Sequence, residues 1–295
     1  MKNPPLSPYL VLAVGILAVS ISAILIRFAQ GDAPSLVIAT GRTTIASLLL
    51  LPFCLRLRRE ELRRLRRGDW LLVLLAGGLL GVHFASWISS LAFTTVASST
   101  VLVTTSPLWV GMASPFLLQE RVPRALKIGI GLALVGSAII ALLDKGGGSS
   151  GSQPLWGNFL ALVGAWMAAA YFIIGRRLRA HVSLLTYTTV VYGTAALFLL
   201  VMTALRGYPL LGYAPGTYVL FLLMALGPQL VGHSSFNWAL GFLPASYVAI
   251  TLVSEPIGSS LLAFFIFGEA PGWNTWVGGG LIIAGILVAT IHPQT

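Results

Sequence analysis

Apolar residues run through this chain in ten blocks, separated by short polar or turn-forming stretches. The blocks cover 9–29, 34–55, 70–91, 97–118, 124–143, 155–176, 182–204, 217–238, 246–267 and 272–291. Each is about the length that crosses a hydrocarbon layer roughly 30 Å thick as a helix. Lipid offers no hydrogen-bond partners, so such blocks are either helices or strands closed into a barrel. None alternates apolar and polar residues in the manner of a barrel strand, and helices are predicted throughout. Most breaks are short: "QGDAP" at 30–34, "FTTVA" at 93–97, "FLPAS" at 242–246. The longest, "DKGGGSSGSQP" at 144–154, has the glycine and serine content of a flexible extramembrane linker. It divides the chain into two five-helix halves, 9–143 and 155–291.

Composition agrees. Of 295 residues, 57% are hydrophobic and only 9% are charged. A water-soluble domain carries about 25% charged residues, so most of this surface must face lipid. The chain is read as an all-α, multi-pass protein of a cell or inner membrane. Its first block exceeds the apolar core of a signal peptide and is read as a retained helix. The single cysteine, Cys54, has no partner for a disulfide or a metal site and is read as a packing residue.

The net charge of +10 raises the question of nucleic acid. Its distribution answers it. Seven arginines crowd the stretch between the second and third helices, from Arg56 to Arg67. Taking alternate loops from there, 14 of the 18 basic residues fall on one side of the membrane. By the positive-inside rule that side is cytoplasmic, and both termini lie on it. The arginine loop is read as a topology signal resting on anionic lipid, and no nucleic-acid partner is expected.

The two halves are related. "TTSPLWVGMASPFLLQERVPRALKIGIGLALVG" at 104–136 aligns with "VSEPIGSSLLAFFIFGEAPGWNTWVGGGLIIAG" at 253–285. Pro107 matches Pro256, Glu120 matches Glu269, and Gly129, Gly131 and Gly136 match Gly278, Gly280 and Gly285, all at an offset of 149. The same offset joins Gly15 to Gly164, Arg27 to Arg176 and Phe93 to Phe242. Five is odd, so the second copy enters the membrane from the opposite face. Ten transmembrane helices in two inverted five-helix repeats are predicted, an arrangement that secondary transporters use. The glycines superficially suggest a phosphate loop, but they lie inside membrane helices and not after a strand. They are read as surfaces for close helix packing.

This pattern resembles the drug/metabolite transporter superfamily, and within it the ten-helix EamA-type members. The resemblance is carried by "SPLWVGMASPFLLQE" and "EPIGSSLLAFFIFGE", each followed by a glycine-rich helix. More narrowly, the aromatic and histidine positions of the third, fourth and sixth helices look like those of YddG-type amino-acid exporters. The resemblance implies alternating access, and it places His83 and Trp166 in a central cavity.

The residues themselves point the same way. Glu255 is the one acid in mid-span; the other seven acids lie in loops or at helix ends. A central acid costs about 2.5–3.5 kcal/mol to insert and belongs on the bundle interior or a wet cavity. Tyr247, Thr251, Glu255 and Ser259 recur every fourth residue and form one polar stripe, a predicted cavity wall. Pro107 and Pro256 interrupt their helices and are predicted hinges or bends of gating helices. His83 and Trp87 share a face of the third helix; Gln229, His233 and Asn237 share one of the eighth. Trp109, Trp166 and Tyr171 lie away from the interfaces where belt aromatics belong, and are expected at the substrate, where rings can hold an ammonium by cation–π contact. Arg42 is the one strongly placed intramembrane cation. It is read as a structural residue, with a substrate carboxylate as the alternative. No further ligand lies within helical reach of either histidine, so neither metal nor cofactor is expected.

An enzyme needs a nucleophile, base or metal constellation, and none is visible. A channel would want a polar ring or filter, which a single acid does not supply. The expectation is a carrier of small molecules, working as a monomer and exporting amino acids, apolar and aromatic ones included. The alternative is a proton-coupled exporter of lipophilic cations, with Glu255 binding the cation directly.

Overall fold

The computed structural model describes residues 4–119, 123–143 and 153–290. Residues 144–152 of the predicted linker lie outside the described residues, as do Glu120 and Arg121. Each predicted apolar block is helical. In chain order the helices are α1 (Pro8–Ala29), α2 (Ser35–Leu57), α3 (Arg67–Ser90), α4 (Val96–Leu117), α5 (Arg124–Leu143), α6 (Pro154–Arg179), α7 (Leu184–Leu205), α8 (Pro215–Ala239), α9 (Ala245–Phe267) and α10 (Trp273–Thr290). Eight of them, all but α5 and α10, are long and apolar enough over their described residues to cross a membrane. Large apolar side chains face outward along them: Phe116 is 85% exposed and Phe265 79%. Water would not tolerate so greasy an exterior, whereas lipid solvates it. The arginine-rich stretch between α2 and α3 forms a short helix, Arg59–Arg64, rather than an irregular loop.

Hydrogen bonds at the helix ends give the direction of each helix. At one end, Glu269 after α9 accepts the Val96 N–H that opens α4 and pairs with Arg27 near the end of α1. Arg27 also donates to the Leu91 carbonyl at the end of α3. At the same end, Thr94 bonds Asn158 at the start of α6, and Asp32 accepts from Ala214 and Thr217 at the start of α8. At the other, basic end, Glu61 accepts the backbone N–H and the hydroxyl of Ser183, both at 2.6 Å, where α7 begins. Arg176 and Arg179 of α6 donate there to the carbonyls of Leu240 and Asn237, where α8 finishes. So α1 ends where α6 begins, α3 ends where α8 begins, and α4 begins where α9 ends. Corresponding helices run antiparallel, and the second half is an inverted copy of the first.

Packing obeys the same exchange. α3 lies against α6 as α1 lies against α8, while α2 pairs with α7 and α5 with α10. Where α5 crosses α10, a Cβ on Gly136 would come within 2.3 Å of the Gly278 carbonyl oxygen, and one on Gly285 within 2.5 Å of the Gly129 oxygen. These two contacts are one contact seen twice, because the repeat maps Gly129 onto Gly278 and Gly136 onto Gly285. Only glycine allows the backbones so near.

Four helices are interrupted. α1 breaks at Ile21, and α4 breaks at Thr104–Thr105, directly before Ser106 and Pro107. α9 narrows to a 3₁₀ turn at Leu252–Ser254, directly before Glu255 and Pro256. α8 widens to a π-helix over Ala225–His233, around Pro228. Pro107 and Pro256 lack an N–H and sit in the first turn of a fresh segment, whereas Pro228 lies within the π-helix itself. Hydroxyls meet carbonyls of the loosened turns: Thr104 bonds Thr100 O at 2.8 Å, Thr105 bonds Leu102 O at 2.7 Å, Thr251 bonds Val248 O at 2.8 Å. Tyr192 does the same for Gln229 O at 3.3 Å.

The Glu61 clasp titrates. Partial burial pushes its carboxyl up, but the hydrogen bonds of Ser183 and Thr186, with Arg58 nearby, hold it below its ordinary value. A carboxylate with a depressed pKa stabilises the fold above its unfolded pKa of about 4.3, and that stabilisation is lost as pH falls through the folded value. Glu61→Gln is expected to lower the melting temperature at pH 7 while narrowing the gap to the parent toward pH 4. Melting curves of purified protein against pH check this; a gap independent of pH would rule the clasp out as an ionic one.

Candidate functional site

The four interruptions meet at one place. A central pocket is lined by Ser22 beside the α1 break, Thr104 and Ser106 at the α4 break, His233 at the end of the π-helix, and Leu252 and Glu255 at the α9 break. His83, Trp87, Tyr171, Phe172 and Phe236 complete most of its wall. Ser106 and Glu255 are repeat counterparts, so the same position supplies a hydroxyl from one half and a carboxyl from the other. Glu255 is 6% exposed.

The wall is aromatic and well ordered by contacts. The His83 ring stacks on Trp87 at 6.0 Å between centroids and meets His233 edge-on at 6.1 Å. His83 donates from Nδ1 to the Gly164 carbonyl at 2.9 Å, which leaves Nε2 as the ring's acceptor. Gly164 is the residue that lets α6 come this close: a Cβ there would press on Val103 and Trp87. The volume is about 40 Å³. That is room for a few waters at about 10–15 Å³ each, against roughly 300–1,000 Å³ for a small-molecule site. The site is therefore collapsed in this conformation.

Several predicted site residues lie elsewhere. Trp166 is one-third exposed, and its ring meets Trp109 edge-on at 5.5 Å and Phe159 at 6.4 Å, away from the pocket. The reason is angular. Ala168 and Phe172 of α6 line the pocket, and two residues along a helix is about 200° around it. Trp109 belongs to that outer pair and does not line the pocket either. The stripe expected on α9 is broken by its 3₁₀ turn. Glu255 lines the pocket, Tyr247 and Thr251 do not, and Ser259 turns to Thr100 of α4 at 3.2 Å. Asn237 sits behind the wall, accepting from the Tyr171 hydroxyl and donating to Tyr192. Pro107 and Pro256 border the breaks without lining the central pocket.

Arg42 is completely buried, on the inner side of α2, and donates to Ser22 at 3.1 Å and Gln229 at 2.9 Å. Its guanidinium lies 4.7 Å over the Phe84 ring. Among the described residues no carboxylate lies within ion-pair distance of it. Ser22, Thr104, Phe172 and Phe236 were not singled out by sequence. The adjacent polar residues and the α4 proline were their only signals. No group of three or more potential metal ligands occurs among the described residues.

The profile of the EamA-like transporter family matches the chain twice, over residues 6–142 and 155–291. The chain belongs to the EamA-like transporter family. Relatives within reach of this EamA-like chain include YetK of Bacillus subtilis, an uncharacterized transporter 26% identical over 97% of this chain and 87% of its own. A riboflavin transporter of Vibrio cholerae is 24% identical over 98% of this chain and 95% of its own. The aromatic amino acid exporter YddG of Ancylobacter novellus is 27% identical over 73% of this chain and 74% of its own. A solved structure, titled only as the crystal structure of a protein, superposes with a TM-score of 0.69 at 22% identity, covering 97% of this chain and 96% of the other. It supports the fold alone.

The two ends of this EamA-like bundle differ. The basic end carries an open surface groove of about 1080 Å³ lined by Arg58, Glu61, Arg176, Arg179 and the end of α4. The opposite end is tied by Arg27, Glu269 and the Val96 N–H. Glu269→Gln keeps an acceptor for Val96 and removes the ion pair. A cysteine placed at Thr95 in a Cys54→Ser background is then expected to react several-fold faster with a membrane-impermeant maleimide. An unchanged rate would mean that other contacts hold this end shut.

Proposed function

We propose that this protein is a secondary transporter that works by alternating access around the central pocket and exports amino acids, apolar and aromatic ones included. The observation that carries the reading is Glu255, a carboxyl placed inside a wall of Trp87, Tyr171, Phe172, Phe236 and two histidines. An acid beside aromatic rings suits an ammonium next to an apolar side chain. The relative named as an aromatic amino acid exporter supports this substrate class. The positive-inside rule puts the basic end in the cytoplasm, the side from which an exporter loads. A second reading, proton-coupled export of lipophilic cations, draws on the same pocket, whose lining includes an acid and no basic side chain other than histidine.

Counterflow in proteoliposomes with a panel of amino acids and organic cations separates the two readings, and absence of counterflow for every member would refute both. Glu255→Gln is expected to slow counterflow by about tenfold or more, the value of one charged hydrogen bond, and to flatten its dependence on pH. A parental rate with a parental pH profile would remove Glu255 from the mechanism. Trp87→Ala is expected to weaken large side chains more than small ones, whereas Trp166→Ala should not discriminate by size. The reverse ranking would put the substrate on the outer tryptophan pair.

A further inference from the structure

Arg42 sits one layer behind the pocket wall, wedged among the helices that form it. Its Nη1 donates at 3.1 Å to Ser22, a lining residue of α1, and its Nη2 donates at 2.9 Å to Gln229 on the π-helix of α8. Phe84 of α3 lies under the guanidinium plane. All of these partners are neutral. A buried guanidinium with no anionic partner is unusual, because buried charges are ordinarily paired.

The surroundings are short of acceptors. Arg42 Nε, Gln229 Nε2 and His233 Nδ1 are all buried and have no hydrogen-bond partner. Arg42 and Gln229 are 0% exposed, and His233 lines the pocket. One guanidinium, one amide N–H₂, one imidazole and the Ser22 hydroxyl therefore converge from three helices with spare donors. Such a set matches a group with two acceptor oxygens and one negative charge, and Arg is the side chain whose planar fork fits a carboxylate in two places. Multiply charged phosphates would call for further cations, and Arg42 is alone here among the described residues of the pocket surroundings. Gln229 and His233, four residues apart, share one face of α8, and both lie in its π-helical stretch, a distortion often found at functional sites.

We infer that Arg42, with Gln229, Ser22 and His233, is the seat for a substrate carboxylate, behind the wall of the pocket that Glu255 also lines. The inference rests on the amino-acid reading above and sharpens it: the cargo must carry a carboxylate as well as an amine. In the collapsed pocket Ser22 covers the seat. Opening the pocket lets the substrate carboxylate replace Ser22 on Nη1, while its ammonium meets Glu255. One zwitterion then supplies the guanidinium with an anionic partner and Glu255 with a cationic one.

Three probes sharing one ring test this by ligand-dependent melting of the purified protein: phenylalanine, 3-phenylpropionate and phenethylamine. In the parent, phenylalanine should bind most tightly and phenethylamine at least about tenfold more weakly, the loss of a charge-assisted hydrogen bond, and 3-phenylpropionate should compete with phenylalanine. Arg42→Lys, which keeps the charge but loses the fork, should weaken both carboxylate ligands at least several-fold and leave phenethylamine within about twofold. Equal binding of phenylalanine and phenethylamine by the parent overturns the seat and leaves the amino-acid reading standing. So does an Arg42→Lys change that shifts all three ligands alike, since a merely structural arginine would do that. Binding of phenethylamine alone overturns the seat and favours the lipophilic-cation reading. Binding of none overturns the seat and the amino-acid reading together. The parent comparison needs no substitution, so a poorly folding variant does not spare the inference.

Discussion

A helix that breaks inside a bilayer exposes backbone groups that lipid cannot satisfy. That constraint organises this molecule. The interruptions at Ile21, Thr104–Thr105, 225–233 and 252–254 all border a single interior pocket. Serine, threonine and tyrosine hydroxyls near the breaks meet the loosened carbonyls. Irregular backbone, polar side chains and both intramembrane charges are concentrated in one spot, because each makes the others less costly there.

The duplication explains the shape, and its imperfections explain the chemistry. Arg27 donates to the Leu91 carbonyl, and its counterpart Arg176 donates to Leu240, the counterpart of Leu91. The same bond is thus made once at each end of the bundle. The crossing of α5 and α10 repeats itself in the same manner through its glycines. Two differences between the halves stand out. Ser106 stands opposite Glu255, and the arginine-rich stretch before α3 has no equal before α8.

Much of this was legible in the sequence. The blocks, the constant offset and the parity of five predict the inverted bundle, and the oddity of an acid next to a proline in mid-span leads to Glu255 in the pocket. What stayed hidden depends on angles that a linear pattern does not carry. The stripe from Tyr247 to Ser259 assumes an unbroken turn of 3.6 residues, and the 3₁₀ segment at 252–254 rotates everything beyond it. Trp166 is in mid-helix as expected, but its direction is set by which neighbours of Ala168 reach the pocket. The partners of Arg42 were hidden too, because nothing in the sequence of α2 reveals that a π-helix in α8 presents Gln229 to it.

The self-matching crossing of α5 and α10 has an energetic corollary. In a perfectly duplicated bundle, trading the conformations of the halves would turn a molecule open on one face into its mirror counterpart at no change in free energy, and the idle protein would divide its time evenly between both faces. Any bias in that division must arise from the positions where the copies have diverged.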